Sequence, residues 1–346
     1  NIVLGDNGAI KFQSVFADVG GGVDNWTLRA NLNDPSAPGY NNHMIEYIRA
    51  EQDEAPEDGR LGDVQVGMAG LDAINLQSGS GVVLGGWGAD TITFAAKESQ
   101  ESNTRYVAGD HAQLLGDDNG GIVSFRTLDT ASVNGGADFI QIGDQNDSVG
   151  RILGRNYVFA GMSTDTVLIS AGLDDAGVLR FGGASSEDVV VGDNGEMLRT
   201  GSAVGTELIP NLMLRLQTIQ NDKGDADQIA LAHGTKVVLG GVGGDTIQAL
   251  NGDHLVVGDN GRLDYDGVAD NGVLRTVTNT DIVIGGDDQI TLGEGYTLVA
   301  GGKGNVVILQ GDPANEAAVL RTNGASALQA FLYTTLPQTL PQMLSY

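Results

Sequence analysis

The chain has 346 residues, with 18 Lys and Arg against 45 Asp and Glu, a formal net charge of −27, and 53 glycines but no cysteine. So acidic a surface repels nucleic-acid phosphates and anionic lipid headgroups, and no basic patch stands out along the sequence, so cations are the natural partners. The absence of cysteine removes disulfides and thiolate metal sites, and the apolar runs fall far short of the ~18 residues of a membrane span.

The first residues, Asn1-Ile2-Val3-Leu4-Gly5-Asp6-Asn7-Gly8, carry neither an initiator Met nor a signal peptide and read as the middle of a motif met again later. The chain is therefore expected to stack on a preceding segment or a neighbouring subunit. Residues 31–60 form the longest insertion, with a short helix expected over Met44–Ala50 and an acidic run over Glu51–Asp58. From there an apolar cluster ending in Gly-Asp (Val107-Ala108-Gly109-Asp110, Val190-Val191-Gly192-Asp193, Val256-Val257-Gly258-Asp259) alternates with one ending in Gly-Gly (Val83-Leu84-Gly85-Gly86, Val238-Leu239-Gly240-Gly241). Between them lie Arg-bearing strands: Phe125-Arg126-Thr127, Leu214-Arg215-Leu216 and Leu274-Arg275-Thr276. Residues 311–346 leave the pattern and read as a C-terminal cap or docking segment with short helices at 316–320 and 325–331.

A nine-residue period runs beneath these families. It links Ile74, Val83 and Ile92; Ile140, Val149, Val158 and Val167; Ile229, Val238, Ile247 and Val256; and Ile290, Val299 and Ile308. Nine residues turn a helix by two and a half turns and would throw alternate anchors to opposite faces, so the period belongs to short strands joined by glycine turns. Eighteen residues then make one coil. The expected architecture is an all-β, right-handed parallel β-solenoid over 1–310, in four irregular units starting near residues 1, 105, 188 and 254, with loop insertions. Position −2 from the anchor is often Asp, as at Asp72, Asp90, Asp138, Asp165, Asp227, Asp245 and Asp288. Across 227–258 that position reads Asp227, Lys236, Asp245, His254, so one edge of the coil is expected to hold metal and the other hydrogen bonds.

Gly85-Gly86-Trp87-Gly88-Ala89-Asp90-Thr91-Ile92-Thr93 and Gly240-Gly241-Val242-Gly243-Gly244-Asp245-Thr246-Ile247-Gln248 match G-G-x-G-x-D-x-U-x at every fixed position. At these residues the chain resembles the RTX, or hemolysin-type calcium-binding, repeat family of large secreted bacterial adhesins. The resemblance implies a parallel β-roll in which turn carbonyls and Asp carboxylates of stacked turns enclose Ca²⁺, an ion that takes six to eight oxygens. The implied metal residues are Gly85, Gly86, Gly88 and Asp90, Gly240, Gly241, Gly243 and Asp245, with Asp138, Asp165, Asp227 and Asp288. Asp6, Asp193 and Asp259 of the Gly-Asp-Asn-Gly turns join them, although those turns also read as Asx turns that need no ion. The sequence departs from the family at 301–306, where Val306 stands in the Asp position beside Lys303, and full nonapeptides are isolated instead of tandem.

Catalytic signatures are missing from the sequence. His43, His111, His233 and His254 are scattered, no G-x-S-x-G elbow occurs, and the Gly-rich run at 240–246 lacks the Lys of a phosphate loop. The function expected is that of a non-enzymatic, calcium-binding structural segment of a large secreted or cell-surface protein, an adhesin or extracellular filament, open to end-to-end self-association. Two alternatives stand beside it: a carbohydrate-active or glycan-binding solenoid module using 31–60 or Trp26, Tyr40 and Tyr47, and a metal-independent structural solenoid.

Overall fold

Short segments rich in Val, Ile, Leu and Thr, several of them followed by glycine, pair as strands because β-branched side chains pack well on a pleated surface. A computed structural model describes residues 71–76, 79–95, 103–117, 121–128, 135–201, 212–266, 273–281 and 283–303, together with the backbone of strands at 2–4, 8–12, 45–50, 203–204, 207–208 and 307–310. All regular structure among the described residues is β, arranged chiefly as three eight-stranded sheets.

The central sheet is parallel and takes its strands in chain order: Ile2–Leu4, Gly81–Leu84, Thr104–Ala108, Ile152–Phe159, Ser185–Val191, Lys236–Gly241, His254–Asp259 and Thr297–Ala300. A second parallel sheet, the parallel flank, is also ordered along the chain: Ala73–Leu76, Thr91–Phe94, Phe139–Ile142, Thr166–Ile169, Gln228–Leu231, Thr246–Ala249, Gln289–Leu292 and Val307–Gln310. The chain passes back and forth between these two sheets. The third sheet, the antiparallel flank, is made of four successive strand pairs: Gly8–Phe12 with Ile45–Ala50, Ala112–Gly116 with Ile122–Thr127, Gly195–Arg199 with Met213–Thr218, and Gly261–Tyr265 with Leu274–Asn279.

The nine-residue anchors become two facing rows. Val83, Val107, Val158, Val190, Val238, Val256 and Val299 stack in register across the central sheet. Opposite them, Ile74, Ile92, Ile140, Val167, Ile229, Ile247 and Ile290 stack across the parallel flank. Both rows belong to one buried cluster, and a fully buried side chain of this size contributes about 1.5–3 kcal/mol. The other face of the central sheet is buried as well. Leu84, Phe159, Val191, Leu239 and Val257 pack against Leu114, Phe125, Met197, Leu216 and Leu263 of the antiparallel flank, with Phe125 and Phe159 stacked at 4.4 Å. A strand covered on both faces needs no polar alternation, which is why the central strands read as runs such as Val189-Val190-Val191.

Three expectations change. The segment Met44–Ala50 is not a helix: Ile45–Ala50 is a strand paired antiparallel to Gly8–Phe12 and Ala112–Gly116, a non-local pairing that suits its Ile and Tyr residues better than a local turn of helix. Val149 is not an inward anchor, being 90% exposed in a loop between two strands, where Asp147 bonds Arg151. The parallel roll implied by the resemblance leaves out one layer, because an antiparallel sheet covers the outer face of the central sheet. The proposed cap at 311–346 and most of the 31–60 insertion lie outside the described residues.

The two flanks differ in charge. None of the eight parallel-flank strands contains Asp, Glu, Lys or Arg. The antiparallel strands contain Lys11, Arg49, Arg126, Arg199, Arg215, Arg262 and Arg275 against Glu46, Glu196 and Asp264, seven basic residues to three acidic.

Candidate cation-binding ladder

Each central strand ends in one of two exits. After Gly85-Gly86 and Gly240-Gly241 the chain turns at once and reaches the parallel flank through Asp90 and Asp245. After Gly109-Asp110, Gly192-Asp193 and Gly258-Asp259 it first makes an antiparallel pair. It then reaches the parallel flank through Gly135-Gly136-Ala137-Asp138, Gly224-Asp225-Ala226-Asp227 and Gly285-Gly286-Asp287-Asp288. The nonapeptide is thus whole in one kind of coil and split by an inserted strand pair in the other, and this is why complete copies are isolated in the sequence.

Both routes deliver an Asp to the same place, just before the flank strand. There the carboxylates form one ladder. Oδ1 of Asp90, Asp138, Asp165, Asp227, Asp245 and Asp288 accepts the backbone N–H of Asp72, Asp90, Asp138, Asp165, Asp227 and Asp245, respectively, at 2.6–3.0 Å. Asp165, Asp227, Asp245 and Asp288 are at most 3% exposed, and their Oδ2 atoms are buried without a hydrogen-bond donor. Near Asp227, Asp245 and Asp288 lies a glycine carbonyl. A Cβ on Gly240 would lie 1.9 Å from the Gly258 carbonyl oxygen and 2.3 Å from Asp245 Oδ2; on Gly258 it would lie 2.1 Å from Asp288 Oδ2 and 2.7 Å from the Gly301 oxygen. Gly192 stands in the same way between Asp227 Oδ2 and the Gly240 oxygen, and Gly85 between Asp90 Oδ2 and the Gly109 oxygen.

A buried carboxylate oxygen without a donor is stabilised by a proton or a cation. Burial first, and neighbouring carboxylates second, push Asp165 well above the usual carboxylate range. Burial likewise raises Asp227, and it pushes Asp245 and Asp288 up to about 8. The donor set of carboxylate and glycine-turn carbonyl oxygens fits a hard cation such as Ca²⁺. Among the described residues no three His, Asp or Glu side chains converge, so each rung offers single carboxylates and carbonyls would complete any coordination shell.

The Gly-Asp turns are built differently. Asp193 Oδ2 accepts the N–H of Val242 and its Oδ1 that of Asp225, at 3.3 Å. Asp259 accepts from Gly286 at 2.9 Å and from Lys303, while Asp110, absent from the sequence-derived set, accepts from Met162 at 2.6 Å and Gly136 at 3.3 Å. Each of these carboxylates ties the turn that closes the next central strand (Ala160-Gly161, Gly240-Gly241 or Gly301-Gly302) to its own returning segment with both oxygens facing N–H donors. Burial still raises Asp193, and it brings Asp259 to about 6. Asp6 lies outside the described residues. Gly86, Gly88, Gly241 and Gly243 hold φ between 101° and 119°, which shapes the turn over which the rungs stack.

The opposite ends of the central strands carry a hydrogen-bonded row, the position that reads Lys236 and His254 in the sequence. Register places Arg105, Asn156, Asp188, Lys236 and His254 side by side. Lys236 Nζ donates to Asp188 at 2.6 Å, the His233 carbonyl at 2.8 Å and the Ser186 carbonyl at 2.9 Å, with no exposed side-chain surface on either ion. Asn156 donates to Asp188 at 2.7 Å, and Arg105 to Asn156 at 3.0 Å and the Leu153 carbonyl at 2.6 Å. Burial lowers Lys236, brings Arg105 to about 10 and brings His254 to about 4. Arg105 and Asn156 were missed because they sit outside the run where the alternation is regular; their signal is the same −2 spacing from Val107 and Val158. No protein-family model, no curated protein and no solved structure matches the chain.

Proposed function

We propose that the chain is a calcium-binding structural β-solenoid, right-handed and built of four units, that serves as a rigid segment of a larger secreted or cell-surface protein. The observation that carries this reading is the ladder: rungs follow one another in chain order, and each adds a buried carboxylate. Asp90, Asp138, Asp165, Asp227, Asp245 and Asp288 would hold Ca²⁺ along the ladder together with glycine carbonyls, and the ion would offset the repulsion of stacked carboxylates. Chain order matching spatial order makes the molecule a linear stack, which suits a spacer and suits continuation into further coils. Extracellular placement would suit the same chemistry, since oxygen sites of low affinity fill only where Ca²⁺ is plentiful. The N–H-saturated turns at Asp193 and Asp259 favour a second reading for that part of the molecule, in which it holds without metal.

Calorimetric Ca²⁺ titration with circular dichroism tests the proposal. Saturable binding whose stoichiometry falls in Asp165→Asn and Asp245→Asn supports it. A chain that folds and melts identically in EDTA and in millimolar Ca²⁺, with no binding heat, leaves the metal-independent solenoid.

A further inference from the structure

The basic residues look scattered in the sequence because the Arg-bearing strands are separated by whole coils. The topology collects them. One outward row of the antiparallel flank runs Arg49, Gln113, Arg126, Glu196, Gln217, Arg262, Thr278, and the next runs Tyr47, Leu115, Ser124, Leu198, Arg215, Asp264, Thr276, with Ser124 itself buried. The alternate residues Leu114, Phe125, Met197, Leu216, Leu263 and Val277 face the core, which fixes the direction of the two rows.

We propose that this outward face binds an acidic polysaccharide. The proposal does not rest on the cation ladder, which lies at the strands of the other flank. Guanidinium groups outnumber carboxylates on the face. Arg126 is exposed and hydrogen-bonds Gln113 at 3.4 Å, whereas Arg215 and Arg262 share the single carboxylate of Asp264 at 3.2 and 2.8 Å. Glu196 is engaged by the Gln217 amide at 2.8 Å. Three strand steps separate Arg126 from Arg262, about 14 Å along the stack, so the charges form a line that an extended chain can follow. Gln113, Gln217 and Thr278 interleave hydroxyl- and amide-bonding groups with the arginines, which matches a polymer rich in hydroxyls.

Charge density selects the partner. A nucleic-acid duplex carries a charge every ~1.7 Å and would bring most of them against the acidic remainder of the chain. From Ala112–Gly116 to Leu274–Asn279 neither row holds an aromatic residue on which a base could stack, and Tyr47 stands in register with the second row only beyond Leu115. An acidic polysaccharide spaces its carboxylates or sulfates by whole sugar rings and can meet the arginines alone.

The test is calorimetric titration of the full chain with a chondroitin sulfate decasaccharide at 1 mM Ca²⁺. Binding at 50 mM NaCl should weaken at least tenfold at 200 mM. The triple variant Arg126→Gln/Arg215→Gln/Arg262→Gln should lose at least tenfold, and Arg180→Gln, an exposed arginine paired with Asp174 in a separate hairpin, should bind as the unmodified chain does. Asp264→Asn removes the shared carboxylate and should tighten binding severalfold, a gain that misfolding cannot mimic. No binding at 50 mM NaCl, or equal affinity in the triple variant, overturns the proposal. Equal affinity for a 12-base-pair DNA duplex would show charge alone at work and also overturn it. So would a sedimenting dimer that the triple variant abolishes, because the face would then belong to a second copy of the chain.

Discussion

Replacing Asp245 by Asn separates the two ways in which a ladder rung can be satisfied. The shapes are alike: Asn Oδ1 can keep the Asp227 N–H at 2.9 Å, while its amide N–H₂ stands where the buried, donor-less Asp245 Oδ2 stood and removes an acceptor left without a partner. In the cation-free chain Asp245 titrates near 8 against about 3.9 when unfolded. At pH 7 the unfolded chain gains from ionisation what the folded rung cannot, so the native residue costs about 4 kcal/mol relative to a neutral one. Asp245→Asn should therefore stabilise the chain in EDTA by up to about 4 kcal/mol. An ion present at a hundred times its dissociation constant adds about 2.7 kcal/mol to the native protein alone, so the advantage of Asn should shrink by about that amount in Ca²⁺. Urea unfolding at pH 7, with and without Ca²⁺, measures both. A variant less stable in EDTA would show that the carboxylate needs no partner, and an advantage unchanged by Ca²⁺ would remove the ion from this rung.

The row at the other end of the central strands gives its own tests. Lys236→Met leaves Asp188 buried without its cation and should cost about 3–5 kcal/mol, largely recovered in Lys236→Met/Asp188→Asn; singles that simply add in a denaturation cycle would show that the pair is uncoupled. His254 is neutral in the fold with its value lowered to about 4, between Lys236 on the neighbouring strand and the adjacent Asp253. The unfolded imidazole takes its proton first, so the stability is intact above about pH 6.5 and is lost as pH falls towards 4, by up to about 3 kcal/mol. His254→Gln should flatten that part of a stability–pH profile, and a profile unchanged by the substitution would assign the loss elsewhere. Gly240→Ala sets a Cβ 1.9 Å from the Gly258 oxygen and should cost about 3 kcal/mol or more. Gly195→Ala, whose nearest neighbours are 3.2 Å away, should stay within about 1 kcal/mol in the same thermal melts.

Much of this architecture is legible before any coordinates. The nine-residue step is a property of strand length plus turn length, both local, so Ile229, Val238, Ile247 and Val256 announce the alternation between two sheets. The Asp at −2 is equally local, since every coil meets its neighbour in the same register. The antiparallel layer was hidden because its evidence is relational: nothing within Phe125-Arg126-Thr127 says that its neighbour is Gly195–Arg199, some 70 residues on. The doubly covered central sheet could be suspected from Val189-Val190-Val191, yet a short apolar run serves a buried strand and other buried segments alike. Asp193 and Asp259 were grouped with the ladder because composition cannot tell a carboxylate facing N–H groups from one facing carbonyls.

The alternation of Gly-Asp and Gly-Gly exits is also a rule of measure. A coil adds one strand to the central sheet and one to the parallel flank, whereas an excursion adds two to the antiparallel flank. Neighbouring strands keep a spacing of about 4.8 Å in every sheet. Only an excursion at every second coil lets three layers grow at one rate: one per coil would crowd twice the strands into the same length, and one in three would leave core uncovered. Lengthening or shortening such a chain is therefore permitted in steps of two coils. A single 18-residue insertion would put the third layer out of phase with the other two from that point onward.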